Sequence, residues 1–285
     1  MIVNHIVRTK RLPEEAESQH ILVMGIPKVS IEELLDEKVP TQLDMTAPKL
    51  RATLEILPGG YLGIGSFKSA VRGRLTLEQW EPEVSMDLAI RVGWAVAVAC
   101  KRFFVRSNGQ MMRLTPADEL LRVHAEGTIL YWANALLRMC YSFMARHIGK
   151  SHKEPPHRVP EVRFVNAAIG LSMPKDQTGT KGLPYSGCFV LEEIIHIPEG
   201  AKFTKFIGNA SAKPLVQPGE EGYEEAVFLA FCQHVQYEKT QGMAYISDLQ
   251  GMCYSTENDE SKYSRLWQSV DRPANYEQVG GIVTH

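Results

Sequence analysis

Two polar side chains that follow a short apolar run near the C-terminus have the types and spacing needed for chemistry. Residues 243–246 (MAYI) have the pattern of a short buried strand, and Asp248 and Gln250 follow in the sequence SDLQG. An acid and an amide just past a strand end, with a glycine that lets the backbone turn away, present polar groups to a ligand. Their oxygens suit a divalent cation that bridges phosphates. A capped strand end with an Asx-type turn explains the same residues without any chemistry.

Two lysines are placed where they could contact phosphate groups. Lys101 ends the apolar strand pattern VAVACK, where an amine either reaches solvent or is held by an acid and a ligand phosphate. Glu126 on the following helix is its candidate partner, with Glu119 as the alternative. Lys68 ends the turn GIGSFK, whose glycines allow backbone amides to approach phosphate oxygens. That turn is not a Walker loop, and a glycine-rich hairpin that binds nothing is the competing interpretation.

A third group of polar residues lies between these two regions. The strand pattern FVLEE contains Glu192, and the segment KFTKFIGNA after it contains Lys205 and Asn209, in a KxxxN pattern. These side chains line an ATP-binding cleft in one interpretation and a solvated sheet edge in the other. Farther on, Glu257 and Asn258 add oxygen-bearing side chains soon after the SDLQG segment.

The composition indicates a soluble globular protein. The 285 residues are 44% hydrophobic and 22% charged, with a formal net charge of -2, so a sizeable core can form and no general attraction to nucleic acid is expected. No apolar run approaches the roughly 20 residues of a membrane helix, and the N-terminus lacks a signal-peptide pattern. Five cysteines without a CxxC pair fit a reducing compartment. We therefore expect a cytoplasmic or nuclear protein that binds neither nucleic acid nor membrane.

Hydrophobic periodicity assigns these residues to strands, helices and turns. Residues 1–48 contain four prolines, and we expect a partly disordered N-terminal extension with one helical turn capped by Ser30. The long helix is expected to begin at Thr115, which caps it, and Pro116, which suits the first turn. The predicted elements are a hairpin over 50–77, a buried strand over 86–105, a helix over about 115–147, a linker over 149–160, strands over 162–168 and 188–195, and a helix over 222–234.

This order of elements predicts an α+β fold with two lobes. Antiparallel strands and one long helix form the expected N-lobe over about 49–187, and mixed elements form the expected C-lobe over about 194–285. A cleft between the lobes follows from this arrangement. A single mixed sheet is the competing arrangement.

Taken together, these segments resemble the alpha-kinase family of atypical protein kinases. Residues 230–251 contain its most specific motif: AF, a histidine (His234), a tyrosine three residues later, and a segment that ends in DLQG. The GSFK turn, the strand lysine, the FVLEE strand and the KFTKFIGNA segment occur in the family's order, so the resemblance covers roughly residues 50–285. It implies a two-lobed protein-kinase-like fold that phosphorylates serine or threonine in a protein substrate.

The resemblance implies ATP-binding roles for five residues. Lys101 matches the lysine that contacts the ATP phosphates, and Lys68 belongs to the turn beside it. Glu192 matches the first acid of the strand whose neighbours hold adenine. Lys205 and Asn209 match residues that face the phosphates and the metal.

The same resemblance implies the catalytic and magnesium-binding residues. Asp248 matches the catalytic aspartate, and Gln250 matches a metal-binding glutamine. The family's Thr-Asp-Pro element is replaced here by TEND, so Glu257 or Asn258 is expected to supply the remaining oxygen ligand. ATP and Mg²⁺ are the expected ligands.

The family's structural zinc site has only partial counterparts. His234 matches its first histidine and His285 resembles its second, whereas the sequence ends before the two cysteines that would follow. A structural zinc ion normally has four protein ligands. We therefore expect a truncated C-terminus with an incomplete zinc site. The alternative to an active kinase is a catalytically impaired nucleotide-binding pseudokinase or a fragment of a longer kinase.

Overall fold

The described part of the chain contains eleven strands and three helices. A computed structural model describes residues 17–36, 41–78, 92–151, 159–174, 185–195, 203–255 and 262–268. In chain order the elements are β1 (Glu17–Gly25), α1 (Ile31–Leu34), β2 (Leu50–Ile64), β3 (Lys68–Leu77), β4 (Ala95–Ser107), β5 (Gln110–Arg113), α2 (Pro116–Ser151), β6 (Glu161–Phe164), β7 (Ala167–Ser172), β8 (Gly187–Glu193), β9 (Thr204–Lys205), α3 (Tyr223–Lys239), β10 (Leu249–Ser255) and β11 (Lys262–Gln268). None of the described helices has the length and apolar character needed to cross a membrane.

Two compact units divide the chain, and each is built from separate stretches of sequence. The first consists of the described residues of Met1–Pro27, Gln42–Gly127 and Asn166–Ile194. The second consists of those of Lys28–Thr41, Thr128–Val165 and Ile195–His285. The units therefore differ from the two continuous lobes that the sequence predicts, because helix α2 contributes residues to both.

Six strands of the first unit pair in a closed ring. The sheet order is β3-β2-β1-β7-β8-β4, and β4 pairs again with β3. Each of these pairings is antiparallel, and β5 adds a short hairpin to the end of β4. Closure leaves no free edge strand in the ring, which removes the unpaired backbone groups that an open sheet exposes. The prediction of a mixed fold with a sheet and one long helix is confirmed.

Alternate side chains of the ring form one hydrophobic core. Its members are Ile21, Val23, Leu50, Ala52, Leu54, Ile56, Leu75, Leu77, Val98, Cys100, Ala168, Phe189 and Leu191. Because strand side chains alternate between two faces, the residues between these positions point away from this core. Lys101 and Glu192, which follow Cys100 and Leu191, therefore lie on the opposite face of the sheet.

Local sequence signals set the hairpin and the long helix as predicted. Strands β2 and β3 pair antiparallel, and the Gly65 amide donates to the Lys68 carbonyl across the turn at 2.8 Å. Helix α2 begins after Thr115, whose hydroxyl accepts a hydrogen bond from the Asp118 amide at 3.2 Å. The Ser30 cap of α1 is also confirmed, since it forms a capping box with Glu33.

The second unit contains a four-stranded sheet and helix α3. The sheet order is β6-β11-β10-β9, with β10 antiparallel to both neighbours and β11 parallel to β6. Helix α3 extends one turn beyond the predicted end and finishes at a turn in which Gln241 and Gly242 have positive φ angles of 55° and 82°. The Gly242 amide donates to the Tyr237 carbonyl at 2.7 Å and closes this turn.

The predicted strand over 162–168 is two strands in different sheets. Residues of β6 alternate between exposed and buried, whereas every residue of β7 is buried. An apolar run gives no sign of such a division, because one covered face and two covered faces both favour apolar residues. The break falls at Val165 and Asn166, where the two units meet in the sequence.

The expected N-terminal extension is wrong for residues 17–25. Strand β1 pairs with β2 on one side and with β7 on the other, so it is an internal strand of the ring. Its Ile21 and Val23 side chains belong to the core. The prolines that suggested an extension lie outside this strand, at Pro13, Pro27, Pro40 and Pro48.

Substituting Gly60 with alanine should destabilise the first unit. A Cβ atom at Gly60 would lie 2.9 Å from the Leu57 carbonyl oxygen and 3.0 Å from the Arg72 Cβ and carbonyl oxygen. These atoms belong to backbone or to a side-chain root and cannot move away cheaply, so we expect a loss of about 1–3 kcal/mol in the unfolding free energy. Urea denaturation measures this change.

The matched control is Gly63→Ala in the same strand. A Cβ atom at Gly63 meets nothing within 4 Å, so its unfolding free energy should stay within about 0.5 kcal/mol of the wild-type value. Equal stability of the two variants would show that the approach of β3 to Gly60 is not a tight contact.

Candidate functional site

Four buried charged side chains form a lysine–glutamate cluster in the first unit. Lys68 lies on β3, Lys101 on β4, Glu126 on α2 and Glu192 on β8. Their side chains are at most 10% exposed. The Lys68 ammonium donates to Glu126 at 2.5 Å, and the Lys101 ammonium donates to Glu192. The cluster therefore matches two positive charges with two negative ones.

Burial sets the charge state of the lysine on β4. It lowers the pKa of the Lys101 ammonium from 10.5 to about 8. The Glu192 carboxylate opposes this shift, while the positive charge of Lys68 adds to it. An amine whose pKa lies this close to neutrality responds readily to a new charge nearby.

The pairing predicted for the strand lysine is corrected by this geometry. Glu126, the expected partner of Lys101, instead accepts a hydrogen bond from Lys68. Glu192, expected beside adenine, accepts one from Lys101. In this arrangement the Lys68 side chain also lies over the Phe103 ring, 5.4 Å from its centroid, and does not extend from the glycine turn into solvent.

A third ion pair, between the partly buried Arg102 and the buried Glu119, fixes the start of α2 in the first unit. Arg102 donates two hydrogen bonds to Glu119, at 2.7 and 2.9 Å, and the Glu119 carboxylate also accepts the Cys188 amide at 3.1 Å. Glu119, the alternative partner for Lys101, is thus fully engaged elsewhere. A Cβ atom at Gly187 would lie 2.3 Å from the Arg102 guanidinium, so a side chain there would displace the guanidinium from this pair. Sequence reasoning missed this interaction, because it considered Glu119 as an alternative partner for Lys101.

In the second unit, Asp248 precedes a strand and does not follow one. The predicted strand over 243–246 is wrong: these residues form no strand, and β10 begins at Leu249. Asp248 has a φ angle of 57°, in the left-handed region, which aspartate and asparagine adopt more readily than other non-glycine residues. Its amide donates to the Gly208 carbonyl at 3.4 Å.

The Asp248 carboxylate is buried with little compensation. The residue is 3% exposed, and neither carboxylate oxygen accepts a hydrogen bond from any residue that the structure describes. Its Oδ1 lies 2.5 Å from the Lys205 ammonium as an ion pair without hydrogen-bond angles. The Lys205 side chain is 42% exposed, so solvent weakens the pairing. The carboxylate thus has one partly exposed ionic partner at Oδ1, and its Oδ2 atom, which no described residue contacts as a donor, is available to a ligand.

Three of the other predicted residues lie near this carboxylate along the backbone. Gln250 stands opposite Lys205 in the β10–β9 register and is half-buried. The Leu249 carbonyl accepts the amides of Phe206 and Ile207, at 2.9 and 3.1 Å. Asn209 is exposed and follows Gly208. The structure thus brings together Lys205, Asp248 and Gln250, with Asn209 one residue from the Asp248 backbone contact.

The residues present fit a magnesium ion better than a zinc ion. The Asp248 carboxylate and the Gln250 amide offer oxygen ligands, and Mg²⁺ uses one or two carboxylates while keeping several waters. His234, in contrast, is 76% exposed, and its Nε2 atom lies 3.8 Å from Glu238. No group of three or more His, Cys, Asp or Glu side chains able to hold a metal occurs among the described residues.

Three predicted ligands lie outside the residues that the structure describes. Glu257 and Asn258, expected at the magnesium ion, fall in the gap over 256–261. His285, expected at the zinc ion, falls in 269–285.

Comparison with known proteins finds similarity at the level of solved structures. No protein-family model and no curated protein matches the chain. Among solved structures, the chain is similar to the alpha-kinase domain of myosin-II heavy chain kinase A in complex with AMP-PNP. The two are 12% identical over 88% of this chain and 82% of that chain, with a TM-score of 0.41. The function is therefore inferred from the residues of the chain itself.

Raising the pH from 8 to 10.5 should stabilise the protein through Lys101. In this window the unfolded chain holds the Lys101 proton, with a pKa of 10.5, whereas the folded chain has released it at about 8. Because the unfolded state binds more protons, the unfolding free energy rises with pH, by at most about 3 kcal/mol. Urea denaturation at several pH values measures the rise, which should be absent in Lys101→Met. Parallel profiles for the two proteins would contradict this assignment.

Asp248→Asn should stabilise the protein, although it removes a charge. The amide tolerates the left-handed backbone and avoids burying a charge whose ionic partner, Lys205, is 42% exposed, so we expect a gain of about 1 kcal/mol in the unfolding free energy. Asp248→Ala should be less stable than Asp248→Asn by about 1 kcal/mol, because alanine is strained at this φ. Thermal and urea denaturation test the order. A destabilised Asp248→Asn would mean that the ion pair with Lys205 contributes more to stability than the burial of the carboxylate costs.

Proposed function

We propose that the chain is an ATP-dependent serine/threonine protein kinase of the alpha type, with a two-lobed kinase-like fold. The observation that supports this most directly is the buried carboxylate of Asp248, whose ionic partner, Lys205, is 42% exposed and whose oxygens accept no hydrogen bond from a described residue. Weakly compensated buried acids cluster at sites where the acid itself is used. Because the order of these residues resembles that of the alpha-kinase family, we assign Asp248 to phosphoryl transfer.

In the proposed reaction, Asp248 orients a substrate hydroxyl and accepts its proton. The hydroxyl oxygen forms a bond to the γ-phosphorus of ATP as the bond to the β-phosphate oxygen breaks, and ADP leaves with that oxygen. The proton of the hydroxyl passes to a carboxylate oxygen of Asp248. Lys205 balances the negative charge of the carboxylate and, being half-exposed, can follow a phosphate group.

The remaining predicted residues are assigned to the nucleotide and its metal. Lys101, with Lys68 beside it, would contact phosphate oxygens, and Glu192 would set the position of Lys101. Asn209 would face the phosphates. Asp248 and Gln250 would hold Mg²⁺, which when bound neutralises the negative charge of the phosphates.

Nucleotide binding without phosphoryl transfer is the second candidate function. It is favoured by the lysine–glutamate cluster, in which each buried ammonium is already matched by a carboxylate. A triphosphate must therefore exchange with Glu126 or Glu192 to gain a lysine contact, which lowers its affinity and disturbs its position.

Phosphoryl transfer should depend on Asp248, and nucleotide binding should depend on Lys101. With radiolabelled ATP, Mg²⁺ and a basic protein substrate, Asp248→Asn should lower kcat roughly 10²–10⁴-fold. It should retain the rise in Tm that ATP with Mg²⁺ produces in the wild type. Lys101→Met should lose most of that rise, because it removes the cation at the phosphates.

Two exposed residues provide matched controls for this experiment. Glu238→Gln removes an acid whose side chain is 62% exposed, and Lys213→Met removes an exposed lysine. Both should match the wild type in transfer and in Tm shift. A wild-type Tm shift without transfer would support the second candidate, and equal transfer by wild type and Asp248→Asn would overturn the first.

A further inference from the structure

The backbone that leads to Asp248 is buried and lies outside the regular strands. Residues 244–248 connect the turn after α3 to β10, and Ala244, Ile246, Ser247 and Asp248 are each less than 9% exposed. Buried backbone amides and carbonyls must be hydrogen-bonded, since leaving them unpaired is costly. A strand obtains these bonds from a neighbouring strand, whereas in this segment Ile246 alone forms an isolated β-bridge.

Side chains of α3 supply these hydrogen bonds. The Gln236 Oε1 atom accepts the Ile246 amide at 2.9 Å, and the Gln233 amide group donates to the Ile246 carbonyl at 2.6 Å. The Thr240 hydroxyl accepts the Ala244 amide at 3.0 Å and lies 2.9 Å from the Ala244 carbonyl. Residues 233, 236 and 240 share one face of the helix. They bond alternate residues of the segment, as a neighbouring strand would.

The orientation of both amide groups is fixed by this arrangement. Gln236 presents its oxygen to Ile246, and its amide group donates to the Cys140 sulfur at 3.6 Å. Gln233 presents its amide group, which leaves its Oε1 atom buried without a hydrogen bond from any described residue. An apolar side chain at 233 would avoid that unpaired oxygen. The same apolar side chain would leave the buried Ile246 carbonyl without this donor, so the glutamine exchanges one unpaired oxygen for a fixed backbone group.

Asp248 is therefore held from both directions along the chain. Two residues upstream, Ile246 is fixed by the α3 amides on both of its backbone groups. Downstream, the Asp248 amide and the Leu249 carbonyl are bonded to residues 206–208. A left-handed residue persists only where its surroundings determine it, and these two anchors provide that constraint.

We propose that Gln233 and Gln236 are positioning residues, which act through the Ile246 backbone to set the place of the Asp248 carboxylate. This inference rests on the proposed function, because it assigns Asp248 the role of accepting the substrate proton. Neither glutamine touches the substrate. Their effect is expected in the catalytic step, since small displacements of a catalytic acid reduce the rate strongly.

The kinetic test uses Gln233→Met and Gln236→Leu in the full chain. Each should lower kcat about 10- to 100-fold while the KM for ATP changes less than about threefold. Gln236→Glu, which keeps an acceptor for the Ile246 amide, should restore kcat to within about fivefold of the wild type. Val235→Ala removes a buried α3 side chain that makes none of these bonds, and its kcat should match the wild type below its Tm. Wild-type kcat in both glutamine variants would overturn the inference while leaving the proposed function intact.

A second readout does not require activity. Hydrogen exchange at the Ile246 and Asp248 amides should be at least tenfold faster in Gln236→Leu than in Val235→Ala, once each is corrected for its global stability. If the wild type shows no phosphoryl transfer, faster exchange still supports the positioning of the segment, and the failure then belongs to the proposed function. Unchanged exchange in Gln236→Leu would overturn the inference, whatever the activity.

Discussion

Charge buried against the outer face of the ring is the constraint on which the first unit depends. The lysine–glutamate cluster draws one charged residue from each of β3, β4, β8 and α2, and each charge is stable there only while its partner is present. Removing one member of such a pair leaves an uncompensated buried charge, typically at a cost of 3–5 kcal/mol. The pairs therefore fix which elements lie together.

The same pairs fix the register of the strands. Lys101 stands opposite Val190, and Ala99 stands opposite Glu192, so the charged residues are diagonal neighbours on one face of the β4–β8 pair. A slip of one residue would turn one of the two charges into the hydrophobic core, because side chains alternate between faces. Apolar alternation alone specifies this register, and the buried charges raise the penalty for leaving it.

In the second unit, by contrast, the buried charge of Asp248 lacks a buried partner within the described part of the chain. Asp248 has one partner, Lys205, which is half-exposed, and no hydrogen bond from a described residue. Its backbone is also in the left-handed region. Asp248 thus combines a weakly compensated buried charge with an uncommon backbone conformation. Glu119, which is equally buried in the first unit, accepts three hydrogen bonds. This contrast separates an acid kept for structure from one kept available.

Local features of the fold could be predicted from the sequence, whereas pairing between distant segments could not. Thr115 and Pro116 mark the start of α2 because capping is decided within a few residues. Strand β1 was missed because its partners, β2 and β7, lie far along the chain. The partner of Lys101 was missed for the same reason, since Glu126 and Glu119 on the following helix were the acids considered and Glu192 lies 91 residues away along the chain.

The sequence motif singled out Asp248 as a candidate, but it did not predict which groups would bind the backbone around it. The motif pointed to the acid, but a four-residue apolar run does not reveal whether a strand or a helix side chain will bind its backbone. Here the amides of α3 do so. His234, chosen from the same helix, faces solvent, while the adjacent Gln233 faces the segment. Adjacent side chains on a helix point about 100° apart. Choosing a residue by its type alone, without knowing which way it faces, therefore selected His234 and passed over Gln233.

On the proposed function, the lysine–glutamate cluster also determines what a nucleotide must do on binding. A triphosphate that approaches Lys101 competes with Glu192 for the same ammonium. Its added negative charge favours the protonated amine, against the burial that lowers the pKa of Lys101 to about 8. Phosphate binding and proton uptake by Lys101 are therefore linked, and the glutamate that is released needs another donor or solvent. Whether that exchange is complete decides between a site that only binds nucleotide and one that also aligns it for transfer.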